Sequence, residues 1–363
     1  MELGFSMYPE QYPLQTSFEY INMLADYGAK RLFLSLLQID TDSSDCFQIY
    51  KDIVQYANSK GIRVVADISP RFIEAHRWRL NLMEMAHEFG LSGIRLDESL
   101  DISEITKLTH NKYGIKIELN ASTEDKLLKE LLSEGANKEN LMGCHNFYPH
   151  RYTGLSREHF LKMSQIYHEH QIETSVFISS NTASEGPWPV SEGLPTLEEL
   201  RDLPIELQVD ILKCTGLFDN VIVSNQWIQE TELKSLVDRL ADENIIFKYH
   251  PYEPSDIETA ILESQHRYRG DISDYVIRST ESRLAFVDAD ISPRNENAIE
   301  HTARGVLTID NNHYLRYKGE LQIVLKPYPK SPKVNIVGKI DDNYLILLDY
   351  IKPWQLFKLF LCS

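Results

Sequence analysis

Two consecutive strand-like runs, GIRLD (93–97) and IKIELNAS (115–122), each carry polar residues spaced two apart near their ends. Arg95 precedes Asp97 in the first run, and Glu118 precedes an asparagine in the second. Side chains two apart in a strand point to the same face of the sheet. Two neighbouring strands would therefore direct two carboxylates, a guanidinium and a carboxamide to one place. If the sheet closes into a barrel, that place is the mouth where barrel active sites are built.

The surrounding sequence alternates short strand-like runs with amphipathic stretches of helical length. Eight strand-like runs are expected at residues 3–8, 31–36, 63–69, 93–97, 115–120, 141–148, 173–179 and 220–224. Helices are expected between them, among others at residues 18–27, 47–59, 73–89, 124–132 and 158–170. A doubly wound sheet is the alternative. Eight evenly spaced units within roughly 240 residues favour an α/β fold of the (β/α)8 TIM-barrel type over residues 1–244.

From about residue 245 the pattern changes to short β-rich runs separated by Gly, Pro, Asn and Asp. These runs are YVIRSTESR (275–283), GVLTID (305–310), LQIVLKPYP (321–329), NIVGKID (335–341) and NYLILLDYI (343–351). They predict a smaller, antiparallel β domain over residues 245–363, built as a barrel or a sandwich. Residues 247–254 are expected to link the two domains.

Composition limits the partners of this 363-residue chain. The formal net charge of −17 opposes binding to nucleic acid or to an anionic membrane, but local cations can still bind a small anion. No secretory signal and no run of about 18 apolar residues is visible, and the four cysteines form no CxxC pair. A cytoplasmic enzyme is therefore expected, and its oligomeric state is left open.

The ends of the predicted strands share one inward-facing set of polar residues. The set comprises Ser6, Tyr8, Glu10, Asp67, Ser69, Arg95, Asp97, Glu118, Asn120, Asn146, Tyr148, Ser224, Asn225 and Gln226. Inward barrel positions are normally filled by branched apolar residues, so this set predicts an active site. Asp97 has the simpler alternative of pairing with Arg95 or capping the next helix. Glu118 has no helix to cap, and Ile117 and Leu119 beside it predict an apolar setting.

A pair of carboxylates suits the cleavage of a glycosidic bond. One protonated carboxyl group donates its proton to the leaving oxygen, and the other stabilises or attacks the anomeric carbon or activates water. A lyase or isomerase acting on a phosphorylated sugar, with Glu118 as the base, is one alternative. A non-catalytic phosphosugar-binding protein is another. No HExxH, GxGxxG, GxxxxGK[ST] or GxSxG motif occurs, so neither a metal nor a cofactor is expected.

Two loops carry side chains that suit a sugar. Residues 146–154, NFYPHRYTG, follow the sixth strand, and a second loop leads from residues 179–181 to Trp188 in GPWP. Aromatic rings stack on the C–H faces of sugars, while Asn and Arg bind hydroxyl, acetamido and anionic groups. The alternative for Trp188 is a loop packed on its own aromatic residues.

Several motifs resemble the MupG family of cytoplasmic 6-phospho-N-acetylmuramidases. They are GFSMYPE, VADISPR, GIRLDE, KIELNAS, GCHNFYPHRYTGL, GPWPVSEGLPTLE and YVIRSTESR, spread from residue 3 to about residue 350. The resemblance implies a TIM barrel followed by a cyclophilin-like β domain. It also implies hydrolysis of a phosphorylated amino-sugar disaccharide, N-acetylmuramic acid 6-phosphate linked to N-acetylglucosamine, during cell-wall peptidoglycan recycling.

The resemblance also nominates individual residues. It implies catalysis by Asp97 and Glu118, with Asp67 and Glu10 in reserve. Sugar binding is implied for Arg95, Asn120, Asn146, Tyr148, Arg151 and Tyr152. Phosphate binding is implied for Arg278, Ser279 and Arg283. The alternative for the two arginines is to pair with Asp271, Asp274 or Glu281 on the surface. The family is associated with a histidine where this chain has Leu200, which leaves the role of that loop open.

Overall fold

The computed structural model describes residues 1–9, 12–36, 44–96, 100–123, 126–183, 185–294 and 302–362. It divides into two compact units. The first comprises Met1–Val209 with Leu217–Leu240, and the second comprises Asp210–Gly216 with Ala241–Ser363. Within the described ranges, no helix has the length and apolar character needed to cross a membrane.

The first unit is built on a closed barrel of eight parallel strands, which confirms the (β/α)8 prediction. Its strands are β1 (Glu2–Met7), β2 (Arg31–Ser35), β3 (Arg63–Ile68), β4 (Gly93–Leu96), β5 (Lys116–Asn120), β6 (Leu141–Cys144), β7 (Glu173–Ile178) and β8 (Asn220–Val223). The helices are α1 (Leu14–Asp26), α2 (Ser44–Ser59), α3 (Pro70–Ala75), α4 (Leu82–Phe89), α5 (Ile102–Thr109), α6 (Leu127–Ser133), α7 (Arg157–Glu169), α8 (Ile205–Thr215) and α9 (Glu230–Ala241). Pairing of β1 with β8 closes the barrel, so the carboxyl ends of all eight strands lie at one mouth.

The single helix predicted over residues 73–89 is wrong, because the structure has two helices there, α3 and α4. Arg77 adopts a left-handed backbone conformation (φ 58°) between them. The turn buries Trp78, which is 3% exposed, against the rings of Phe72 and Phe89 at centroid distances of 5.1 and 5.7 Å. Burial of this large ring outweighs continuation of the helix.

The second unit contains a seven-stranded, nearly closed sheet in the order β10-β15-β9-β14-β12-β13-β11, which confirms a β-rich second domain. Its strands are β9 (Ile245–Pro251), β10 (His266–Arg267), β11 (Val276–Ser279), β12 (Val306–Asp310), β13 (Leu321–Val324), β14 (Val334–Ile340) and β15 (Leu356–Leu361). Helices α10 (Asp256–Glu263) and α11 (Thr280–Ala285) accompany it. The cyclophilin-like character of the domain stays a prediction.

Details of the second unit differ from expectation. Residues 247–254 are not simply a link, because most of them lie in β9, and β9 pairs in parallel with β15 inside a sheet expected to be antiparallel. Residues 280–283 begin a helix rather than continuing a strand. The run at 343–351 lies largely in the 3₁₀ helix Asp342–Asp349, where the buried residues Tyr344, Leu347 and Leu348 follow a helical spacing.

The interior of the barrel holds a buried ion pair between Arg31 and Glu118. Both residues are 1% exposed, and the guanidinium of Arg31 donates to the Glu118 carboxylate and, at 2.7 Å, to Ser175 Oγ. A second guanidinium, that of Arg95, lies 3.6 Å from the same carboxylate. A charge withdrawn from water is tolerated only when it is paired and hydrogen-bonded, so these groups constrain how β2, β4 and β5 pack.

Replacing Arg31 by Met should lower the free energy of unfolding by about 3–5 kcal/mol, because the buried Glu118 carboxylate then keeps only one of its two guanidinium partners, Arg95. Urea denaturation at pH 7 measures the loss. Arg63→Ala is the control, since Arg63 forms an exposed pair with Glu2 (43% and 53% exposed) and should cost about 1 kcal/mol or less. The double variant Arg31→Met/Glu118→Leu should recover most of the loss. Equal effects of the Arg31 and Arg63 changes would contradict a buried pair that controls the barrel.

Candidate active site

The strand register brings three of the predicted site residues into one row across the barrel. Asp67 on β3 is the Cα partner of Arg95 on β4, and Arg95 is the partner of Glu118 on β5. Adjacent partners project from the same face of the sheet, and these residues are 8%, 6% and 1% exposed. Asp97 and Glu10 lie outside the described residues, so the roles predicted for them stay predictions.

Glu118 lies too deep in the barrel to reach a substrate bound at the mouth. Its side chain is 0% exposed and faces Arg31. The apolar setting expected from Ile117 and Leu119 is wrong, because those neighbours point to the opposite face of β5 and two guanidiniums occupy the face of Glu118. The sequence spacing identified the inward face correctly but could not reveal Arg31, which is 87 residues away.

Arg95 connects this charged row to the end of β6. One guanidinium nitrogen donates to the carbonyl of Cys144 at 3.0 Å, and another donates to the Asn146 side-chain oxygen. The backbone N–H of Asn146 donates to Ser122 Oγ at 2.8 Å. Arg95 and Asn146 are thus held in one arrangement, which presents a guanidinium and a carboxamide beside Asp67.

A buried histidine supports Asn146 from behind. The hydroxyl of Ser164 donates to the Phe160 carbonyl at 2.7 Å, so its oxygen accepts from His145 Nε2–H at 2.9 Å. His145 Nδ1 then accepts from Ser122 Oγ at 3.2 Å. Burial lowers the pKa of His145 to about 3, which keeps the ring neutral. This support was not predicted from the sequence, although His145 lies within GCHNFYPH at a strand end.

Other polar residues at the strand ends mainly hold the mouth together. Tyr8 donates from its hydroxyl to the Ser224 carbonyl at 2.8 Å, and its backbone N–H donates to Gln226 Oε1 at 2.6 Å. Asn225 bonds both the N–H and the carbonyl of Ser180, each at 2.8 Å. The Asn120 side-chain oxygen accepts from the Ser122 N–H at 2.9 Å. These hydrogen bonds position the loops, and they occupy polar atoms that would otherwise be available to bind a substrate.

A cavity of about 410 Å³ lies beside the ends of β7 and β8. Trp188, which is 52% exposed, lines it with Asn225 and Arg151. Arg151 donates twice to Asp202, at 2.5 and 3.0 Å, and this bond raises the pKa of the guanidinium. The rings of Trp188 and Phe147 lie 6.4 Å apart. The structure therefore brings Trp188 and Arg151 to one cavity, and their binding of a sugar stays a prediction.

Tyr148 and Tyr152 are sequence neighbours of the cavity residues Pro149 and Arg151 in the loop after β6. Tyr152 is 85% exposed and has a positive φ of 70°, and Tyr148 is partly buried. No role in binding follows from these positions alone, so both stay predictions.

Arg201, which sequence analysis did not single out, organises the loops around the cavity. It is 3% exposed and donates to the carbonyls of Tyr148, Glu192 and Gly193 at 3.0–3.1 Å and of His150 at 3.3 Å. It also bonds Glu198 at 2.7 and 2.6 Å. The Glu-x-x-Arg spacing in the TLEELRD motif was its signal in the sequence. Leu200, the position of the possible family departure, is fully buried.

Glu198 extends this arrangement to the loop after β6. Its carboxylate accepts the backbone N–H groups of Tyr152 at 2.7 Å and of Gly154 at 2.8 Å. A Cβ on Gly154 would lie 2.9 Å from the Glu198 backbone, so only glycine allows this approach. The hydrogen bonds with Arg201 and these N–H groups hold the pKa of Glu198 at about 2.

The three residues nominated for phosphate binding lie in the second unit. Ser279 is buried, and its Oγ lies 2.9 Å from His266 Nδ1. Arg278 pairs with Glu320 at 2.7 Å and with Asp271 at 3.7 Å, while Arg283 lies 3.6 Å from Glu320. Pairing with Asp271 was anticipated, but Glu320 was not. The buried position of Ser279 makes it a poor phosphate ligand.

One group of potential metal ligands lies elsewhere in the second unit. Ligand atoms of His250, Asp341 and Cys362 lie within 4.8 Å of one another. Sequence spacing could not reveal this group, because three distant segments supply it. His250 and Asp341 already share a contact of 3.0 Å, which accounts for their proximity.

Replacing Arg201 by Lys should cost at least about 2 kcal/mol of unfolding free energy, because an ammonium group cannot reproduce contacts to four carbonyls and a carboxylate. Thermal and urea denaturation measure the loss, and proteolysis within residues 146–154 should become faster. Arg157→Lys is the matched control, because Arg157 pairs with Glu199 at a partly exposed site. Similar losses for the two variants would show that Arg201 does not organise the loops.

The neutral state of His145 predicts a pH dependence of stability. Between the unfolded pKa near 6.5 and the folded pKa of about 3, the unfolded chain binds more protons at this ring. Its contribution is therefore complete above pH 6.5 and is lost as the pH falls. His145→Gln should flatten the plot of unfolding free energy against pH between 6.5 and 4.5 by roughly 1 kcal/mol per pH unit. His168→Gln, at an exposed position, should leave the slope unchanged. An unaltered slope in the His145 variant would contradict a buried neutral ring.

Comparisons with known proteins cover the whole chain. Family models described as 6-phospho-N-acetylmuramidase, N-terminal and C-terminal, match residues 3–238 and 245–360. The structure of an uncharacterized B. cereus protein is similar, with 38% identity, a TM-score of 0.86 and coverage of 99% of each chain. A conserved Enterococcus faecalis protein of unknown function is 26% identical, with a TM-score of 0.72 and coverage of 99% of this chain and 96% of its own. No curated protein matches the chain significantly.

Proposed function

The chain belongs to the 6-phospho-N-acetylmuramidase family and is a glycosidase of muropeptide metabolism, and we propose that it cleaves the bond between N-acetylmuramic acid 6-phosphate and N-acetylglucosamine. The observation that carries this proposal is the row of Asp67, Arg95 and Glu118 inside the barrel. A row of charged groups replaces the apolar packing usual at such positions, and glycoside hydrolysis requires carboxylates held in fixed geometry.

We assign the reacting carboxylates to Asp67 and Asp97. Asp67 is the penultimate residue of β3, lies beside Arg95 and is more exposed than Glu118. Asp97 follows Arg95 by two positions in the sequence, after the end of β4. One group would protonate the leaving glycosidic oxygen, and the other would stabilise or attack the anomeric carbon or activate water.

Glu118 then acts as a positioning residue rather than as an acid that touches substrate. Its carboxylate is enclosed and faces both Arg31 and Arg95. Through this charge it holds the Arg95 guanidinium, which in turn holds the side chain of Asn146. Arg95 and Asn146 are suited to bind hydroxyl or acetamido oxygens of the sugar.

The cavity at Trp188 and Arg151 supplies the remaining contacts. Trp188 offers a half-exposed aromatic face for a sugar ring. Arg151 shares a largely exposed ion pair with Asp202, which is 71% exposed, and such pairs contribute little to stability. A phosphate dianion could therefore replace Asp202 as the partner of Arg151 at small cost.

Asp67→Asn should lower kcat by at least about 100-fold while leaving thermal unfolding within a few degrees, because the amide can neither give nor take the proton. Release of N-acetylglucosamine from the phosphorylated disaccharide measures the rate. Asp97→Asn should act similarly. Asp238→Asn, which removes an exposed aspartate paired with Lys234 on α9, is the control and should keep kcat within about threefold.

Glu118→Gln separates the two roles assigned to carboxylates in the barrel. A positioning residue inside an ion pair should lose unfolding free energy together with activity when its charge is removed. A loss of kcat with unchanged stability would instead make Glu118 the acid or base. Near-normal turnover in both Asp67→Asn and Asp97→Asn would refute the proposed carboxylate pair.

A further inference from the structure

Four arginines surround one cavity of about 510 Å³ in the second unit. They are Arg269, Arg278, Arg283 and Arg316. Three of them form ion pairs and have side chains 20–32% exposed, so their guanidiniums remain in reach of solvent. Like charges gathered around one cavity repel one another, and a bound anion relieves that repulsion.

The carboxylates near these arginines neutralise only part of the charge. Asp271 accepts from Arg269 and lies 3.7 Å from Arg278, while Glu320 pairs with both Arg278 and Arg283. Among the residues that the structure describes here, four positive groups and these two negative groups leave an excess of two positive charges. Asp310 is another carboxyl group close to Arg278 and Arg283, and burial together with the Glu320 charge raises its pKa to about 8. It is therefore largely uncharged at neutral pH.

Contacts on the protein hold the guanidiniums in place. Arg283 and Arg316 both lie over the ring of Tyr317, at 5.3 and 5.2 Å from its centroid. Arg269 donates to Thr280 Oγ1 at 3.1 Å. These contacts reduce the side-chain entropy that an anion would otherwise have to remove on binding.

A second cavity of about 510 Å³ lies beside the first on the same sheet face. Arg278 on β11 and Gln322 on β13 are Cα partners, and each lines one of the two cavities. Tyr275 and Tyr328 line the second cavity, and Tyr275 is 52% exposed. A ligand with its anionic end at the arginines could place a ring against these tyrosines.

We propose that the second unit by itself binds a sugar phosphate, with the phosphate monoester at the four arginines and the sugar against Tyr275 and Tyr328. A phosphate monoester carries close to two negative charges at pH 7, which matches the excess charge of the cavity. Arginine forks bind phosphate oxygens in pairs. Arg269 and Arg316 thereby take the place of the buried Ser279 among the residues expected to bind phosphate.

Calorimetric titration of the full chain with N-acetylglucosamine 6-phosphate, inorganic phosphate and unphosphorylated N-acetylglucosamine tests this proposal. The two phosphates should bind and the neutral sugar should not. Arg269→Ala/Arg316→Ala should weaken binding of both phosphates by about 100-fold, since each of the two charge-assisted contacts contributes about tenfold. Arg267→Ala is the matched control, because Arg267 pairs with Glu281 and does not line the cavity. Tyr275→Ala should weaken the sugar phosphate but not inorganic phosphate.

Variants of the barrel separate this site from the proposed reaction. Arg151→Ala and Asp67→Asn should leave phosphate binding to the second unit intact even where they reduce turnover. Loss of all phosphate binding in Arg151→Ala would place the anion in the barrel and overturn the proposal. Unchanged binding in the folded Arg269/Arg316 double variant, or no binding of either phosphate to the wild type at about 10 mM, would also overturn it.

Discussion

The barrel depends on how it accommodates charge in its interior. Arg31 and Glu118 are almost fully buried, and neither is tolerable without the other, because an unpaired ion there costs several kcal/mol. Arg95 shares the same carboxylate and reaches the end of β6. The carboxylate therefore links three strands and the loop that carries Asn146. A change that disturbs the pair would alter the orientation of the mouth as well as the packing of the core, so stability and the geometry of the site are coupled through one buried charge.

The loops at the mouth are held by side chains that bond to backbone rather than to substrate. Arg201 and Glu198 together bind backbone groups from the loops after β6 and β7. His145 performs a similar role for Asn146 through Ser122. Loops carry function in barrel enzymes but lack the ladder hydrogen bonds that fix strands. Here buried polar side chains form several hydrogen bonds to the loop backbone and so fix the loops. This keeps Asn146 and Arg95 in one geometry before a ligand binds.

Sequence patterns were sufficient for the barrel because its signal is local and repeated. Period-two alternation identified the inward face that carries Asp67, Arg95 and Glu118. The partner of Glu118 could not be predicted in the same way, since Arg31 belongs to the strand three along in the barrel order and only closure brings them together. The break at Trp78 and the 3₁₀ helix at Tyr344 were missed for a related reason. In both places the burial of large side chains decides the backbone path. The helix and strand propensities of the residues do not reveal this tertiary burial.

Each of the two units needs local positive groups to bind an anion, because the chain as a whole is strongly negative. A chain with a net charge of −17 repels anions at long range, so any anionic ligand must be attracted by local groups. Arg95 and Arg151 provide such groups in the first unit, and four arginines provide them in the second. Arg95 and Arg151 each pair with a protein carboxylate, whereas the four cavity arginines outnumber the ionised carboxylates that the structure describes beside them. Binding of a dianion should therefore be governed by short-range contacts, and salt should weaken it mainly through competition at those guanidiniums rather than through loss of long-range attraction.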